Sequence, residues 1–213
     1  SHTQVRSTAE PAVTSWRFLP VGRISQGGAR RVVVKRPGEV GVVQIAHKTP
    51  SATHPDHAPL EVVSTILSTG KTSRLYRALI DKNLAIGVES SKGFFRDPFL
   101  FNTTVMLAPS VTHEQAEKAV LAEIERIKVD GVSEAEVTTA INKILAGIAF
   151  GRDGSFAIAG QLNEAIAVGD WTIYSTLLDK IAAVKAADVQ RVATQYFRPS
   201  NRTLAQFIPT KAP

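Results

Sequence analysis

The chain has 213 residues, 44% of them hydrophobic, a formal net charge of +6 and no cysteine. Such a length fits one large domain, or one domain plus an extension. The absence of cysteine excludes disulfides, thiolate catalysis and Cys-ligated zinc, and no run of residues approaches the ~18 uninterrupted apolar positions of a membrane span.

The opening stretch, SHTQVRSTAEPAVTS, is polar and has no apolar core of the kind a signal peptide needs. Residues 1–29 lack periodicity and contain Pro11, Pro20, Gly22, Gly27 and Gly28, which reads as a linker or N-terminal arm. Two strands are expected next, RVVVKRP and VGVVQIAHK, separated by a Pro37-Gly38 turn. PSATHPDHAP, from Pro50 to Pro59, is a loop. Two helices follow at 58–69 and 72–82, then two strands at 84–93 and 99–108. Thr112-His113-Glu114-Gln115 and Ser133-Glu134-Ala135-Glu136 have the spacing of capping boxes, each opening a helix. Further helices are expected at 155–168, 171–183 and 186–197, and RTLAQFIP closes the chain as a strand. Paired strands interrupted by helices predict an α+β domain: a mostly antiparallel mixed sheet with helices packed on one face. The expected domain is 30–213.

The positive charge carries no signature of a nucleic-acid interface. Its densest cluster, Arg30, Arg31, Lys35 and Arg36, brackets the apolar run Val32-Val33-Val34 and reads as the solvated ends of a strand. A basic surface of this kind suits acidic segments of a partner. The compartment stays open, with a bacterial periplasm favoured over the cytoplasm.

Several short motifs resemble catalytic ones and fail on chemistry. Gly70-Lys71-Thr72 is the end of a phosphate loop, but Thr65 stands where the first glycine must be, and a helical face precedes it. It reads as a break between two helices. His54, His57 and Glu61 lack the H-E-x-x-H or H-x-x-E-H spacing of a zinc site, and Pro59 holds His57 and Ala58 off a regular helix. They read as a loop with solvent-facing histidines. His113 and Glu117 offer two ligands without a third, so capping is the better account. Ser155 lacks both glycines of a G-x-S-x-G elbow and reads as a helix N-cap. Glu123, Glu125, Asp130, Glu134 and Glu136 are expected on exposed helix ends or faces. No catalytic, metal-binding or substrate-binding residue is assigned.

The stretch TILSTGKTSRLYRALIDKNLAIGVESS resembles a segment of the pitrilysin/insulinase family of zinc metallopeptidases, which includes the mitochondrial processing peptidases. Its core is Ser73-Arg74-Leu75-Tyr76-Arg77-Ala78-Leu79, after a glycine-containing break. EPAVTSWRFLP with the two strands after it is similar to the start of the family's second homologous domain, and VKAADVQRVATQYFRPSNRTLAQFIP to its closing helix and strand. What the resemblance implies is limited by two departures. The family's zinc motif, H-x-x-E-H, occurs nowhere in the chain, so zinc is expected in a catalytic domain or partner subunit. The non-catalytic half of many members carries an Arg and a Tyr in a pattern like L-R-x-K-x-G-L-x-Y; here those positions are Ile80 and Ile86, and the segment is one residue shorter. The implied role is a zinc-free C-terminal domain of a bacterial peptidase. It would wall a chamber around an unfolded peptide and support the H-x-x-E-H domain, with a dimer possible. The alternative is a scaffold or assembly subunit of the same fold without proteolysis.

Overall fold

The computed structural model describes residues 28–211. The arm expected at 1–29 therefore lies outside the described residues except for Gly28 and Ala29. In chain order the elements are β1 (Arg30–Pro37), β2 (Val42–Thr49), α1 (His57–Ser68), a π-helical turn (Tyr76–Ile80), β3 (Ala85–Lys92) and β4 (Phe99–Leu107). Then come α2 (His113–Val129), α3 (Glu134–Phe150), α4 (Ser155–Ala167), α5 (Ile173–Ala182), α6 (Ala186–Tyr196), a short 3-10 turn (Pro199–Asn201) and β5 (Arg202–Thr210).

The strands form one sheet in the order β1-β5-β2-β4-β3. Three neighbouring pairs are antiparallel and one, β1 with β5, is parallel. The α+β class read from the sequence is the fold observed. Pro37-Gly38 does not make a hairpin, however. The closing strand β5 inserts between β1 and β2, and the Gly38 N–H donates to the Thr210 carbonyl at 3.2 Å. β1 suits the edge position this leaves it, because Arg30, Arg31, Lys35 and Arg36 discourage pairing with a further strand.

Strand alternation decides what lies on each face. In β2, Val43, Ile45, His47 and Thr49 are buried, and in β4, Phe101, Thr103, Val105 and Leu107. Helices cover this face through Leu60, Val63 and Leu67 of α1, Val120, Ile124 and Ile127 of α2, and Val189 and Val192 of α6. The hydrophobic effect supplies about 1.5–3 kcal/mol for each such side chain fully buried.

Local chemistry explains how the helices reach it. Thr112 accepts from the Gln115 N–H at 3.2 Å while the Gln115 side chain accepts from the Thr112 N–H at 2.9 Å, which is the capping box expected for α2. Ser133 and Glu136 do the same for α3. At α4 the N-cap is Gly154 and not Ser155; a φ of 83° there favours glycine and leaves the serine as the first helical residue. The second helix expected at 72–82 is only a short turn. The Asp81 N–H donates to the Tyr76 carbonyl and the Leu84 N–H to that of Leu79, a spacing of five residues that widens the turn and lets Leu75 and Leu79 both reach the core.

The Ser73-Arg74-Leu75 stretch ties this turn to α3. Arg74 donates to both carboxylate oxygens of Glu136, at 2.9 and 3.0 Å, and to the Gly131 carbonyl at 3.1 Å. The guanidinium, helped by the Ser133 N–H and opposed by burial, holds the Glu136 carboxyl down at about 2. Glu136→Ala removes both the capping box and the bidentate pair and is expected to lower unfolding free energy by roughly 1–2 kcal/mol in urea titration. Glu134→Ala, in the same first turn and exposed, is expected to stay within about 0.5 kcal/mol.

Candidate functional site

Among the described residues no helix covers the opposite face of the sheet. The strand register arranges its side chains in rows that cross all five strands. One row runs Val34, Phe207, Val42, Met106 and Gly87; the next, Val32, Ala205, Gln44, Thr104 and Glu89; a third, Arg30, Thr203, Ala46, Asn102 and Ser91. Val32, Val34 and Met106 are 47%, 41% and 45% exposed. Gly87 belongs here for a steric reason: a Cβ added to it would lie 2.4 Å from the Met106 methyl carbon, so only glycine lets that side chain lie across the strand. The face thus grades from an apolar row to a small polar one.

A second exposed apolar region surrounds α4, where Phe150, Phe156, Ile166 and Trp171 are 84%, 92%, 56% and 63% exposed.

On the covered side, at the margin of the sheet, a cavity of about 490 Å³ opens between α1, α3, α4 and α5. Lys92, the last residue of β3, points into it, and its side chain is only 2% exposed. Its Nζ touches the ring nitrogens of His57 and lies 3.7 Å from Glu61 Oε2. Burial, followed by the charges of Lys92 and Lys180, pushes His57 down to about 3, so the imidazole is neutral. Burial also lowers Lys92 to about 8, with Glu61 working the other way.

His57 begins α1 and is 95% enclosed, not solvent-facing, because Pro59 fits within the first helical turn and the ring packs edge-on against Phe94 at 5.3 Å. His54 stays at the surface and accepts from the Asp56 N–H at 3.0 Å. His57 and Glu61 therefore share one cavity, and His113 lies elsewhere, bonded through Nε2 to the Phe207 carbonyl at 2.7 Å. Glu123 is buried rather than exposed, with Arg126 Nη1 at 2.6 Å. Among the described residues no group of three or more His, Asp and Glu is placed to hold a metal ion. Gly70-Lys71-Thr72 is a helix break: Gly70 has φ 83°, and Lys143 Nζ donates to the Thr69 carbonyl at 2.8 Å and to Thr72 Oγ1 at 3.2 Å. Ile80 is half-buried against the core, and Ile86 is 58% exposed beside a bulge in β3. Neither can polarise a carbonyl. Lys92 was not singled out by spacing; its signal is the register that places it on the inward face with Val88 and Ser90.

The described residues thus form a five-stranded α+β layer with helices on one face of the sheet. The family model of the peptidase M16 inactive domain matches residues 1–144, and the chain belongs to that family. It is 27% identical over 180 residues to the zinc protease PqqE of Helicobacter pylori, which covers 84% of this chain and 40% of that protein. A protease structure from Helicobacter pylori superposes with a TM-score of 0.82 at 26% identity, over 87% of this chain and 45% of the other. The inactive peptidase domain of a proposed zinc protease from Bordetella parapertussis gives 0.76 at 30% identity, over 84% and 96%. The chain thus spans less than half the length of the Helicobacter proteins and nearly the whole of the Bordetella domain.

His47 and His57 are both held neutral by burial, each lowered to about 3 from an ordinary 6.5. Between those values the unfolded chain binds more protons than the folded one. The stability they contribute is complete above about 6.5 and is lost as pH falls toward 3. The urea midpoint should accordingly fall between pH 7 and pH 4, roughly in proportion to the buried imidazoles present. A His57→Phe variant should show a shallower fall.

Proposed function

We propose that this chain is the non-catalytic partner domain of a zinc peptidase, walling a chamber for unfolded peptide and supporting a separate H-x-x-E-H domain. The observation that carries the reading is the open sheet face. A domain that buries one side of its sheet under helices and leaves valines, a phenylalanine and a methionine on the other presents a broad wall to something held against it. Its chemistry is mixed and shallow, which suits extended peptides of varied sequence rather than one small molecule.

Family membership and the greater length of the Helicobacter relative support a companion domain, and in this reading that companion would carry the H-x-x-E-H motif and the zinc. The exposed residues around α4 would form part of the contact with it. In this reading 30–213 is the domain, and 1–29 the arm leading into it.

Elemental analysis and cleavage of an unstructured peptide test the reading together. The purified chain alone should carry no stoichiometric zinc and cleave nothing, and cleavage should appear when the H-x-x-E-H half is added. Zinc near one per chain with chelator-sensitive cleavage would overturn it. A stable complex with that half, without cleavage by either the complex or the intact parent, would establish the scaffold role instead.

A further inference from the structure

The Lys92 cavity has no part in the chamber reading and stands independently of it. Its volume of about 490 Å³ lies within the ~300–1,000 Å³ range of small-molecule sites. The walls are largely aliphatic, from Ile144 and Ile148 of α3 and Leu177 and Ile181 of α5. Three cations border this apolar space: Lys92, Lys143 and Arg152.

The partners of those cations matter. Lys143 donates to a carbonyl and a hydroxyl, and Arg152 donates to Gln161 Oε1 at 3.3 Å and the Tyr174 carbonyl at 2.7 Å while lying 4.3 Å over the Tyr174 ring. Among the described residues neither has a carboxylate within ion-pair distance. Lys92 meets a neutral imidazole and one carboxylate, Glu61, 3.7 Å away and 37% exposed. Glu164 is the other carboxylate on the lining. The cavity therefore holds three positive side chains against two negative ones, with one of the positive charges almost fully enclosed.

A buried ammonium ion is costly unless it is closely paired and hydrogen-bonded. An incoming carboxylate would supply what Glu61 supplies only at a distance, and its stem would displace water from aliphatic walls. We propose that this cavity binds a monocarboxylate with an apolar stem, the carboxylate seated on Lys92 and the stem lying between α3 and α5. His57, neutral and packed on Phe94, fixes the position of the lysine head. Two sources share this chemistry, a free aliphatic acid and the C-terminal carboxylate of an apolar peptide.

Calorimetric titration of the 213-residue chain at pH 7 tests the proposal with three probes: octanoate, acetyl-Leu-Phe with a free C-terminus, and the same dipeptide as its C-terminal amide. At least one carboxylate should bind saturably, and the free-acid dipeptide, if it is the one, at least about tenfold more tightly than its amide. Octanoate alone would identify a free acid as the source; the dipeptide alone, a peptide terminus. Lys92→Met should abolish carboxylate binding while keeping or raising the unfolding midpoint, since it replaces a buried charge with an apolar stem of similar length. Ile148→Trp, which leaves Lys92 untouched and fills the space, should abolish it as well. Saturable binding by neither carboxylate, equal binding of acid and amide, or undiminished carboxylate binding by a folded Lys92→Met protein would overturn the assignment.

Discussion

One-sided burial of the sheet is the constraint from which the rest of this structure follows. Alternate residues of β2 and β4 enter a core closed by helices, so their neighbours in sequence must face the other way. A one-residue slip in register would exchange Ile45 and Phe101 for Ala46 and Asn102 and leave the helices nothing to pack on. The register that fills the core thus also decides which side chains line the second face. Its composition is a separate matter: the row from Val34 to Met106 is apolar where solubility alone would favour charge.

The helical layer is aligned to the sheet by a few polar clamps. Arg74 joins the turn after α1 to the start of α3. Asp56, just ahead of α1, is a second clamp: Arg191 donates to one carboxylate oxygen at 2.7 Å and the Tyr196 hydroxyl to the other at 2.7 Å, both from α6. Burial pushes the Asp56 carboxyl up, and these two hydrogen bonds together outweigh it and hold the group below the ordinary carboxylate range. The Gly70-Lys71-Thr72 break lies beside the first clamp, with Lys143 securing its backbone. A motif that looks like nucleotide chemistry in the sequence is therefore a corner in the chain path, and Ser73-Arg74-Leu75 is the fastening that follows it.

Most elements were legible because they depend on local order. Capping boxes at Thr112 and Ser133 place two helices through three-residue spacing, and the alternation in VVQIAHKT and FLFNTTVML places two strands. What was illegible depends on distant contacts. Nothing in RVVVKRP says that its partner is a strand some 170 residues later. The π-helical turn at Tyr76 answers to packing of Leu75 and Leu79, which leaves no spacing of its own. His57 and Glu123 differ from expectation for the same reason: burial of a polar residue is decided by which other elements close over it. Lys92 shows the limit most clearly. Its inward position follows from register, but the cavity around it is built from four helices that meet only in three dimensions.

The proposed role requires the uncovered sheet face to meet the peptide in the assembled peptidase. Since the chain contains no cysteine, single cysteines can be placed at will. Gln44→Cys lies at the centre of the open face and Lys118→Cys on the exposed side of α2. Each would be capped with a bulky maleimide in the assembled peptidase, free of other reactive cysteines, and cleavage of an unfolded polypeptide measured. The cap at position 44 is expected to suppress cleavage by about tenfold or more while the cap at 118 leaves it nearly unchanged. Equal effects at the two positions, or loss only at 118, would contradict that role.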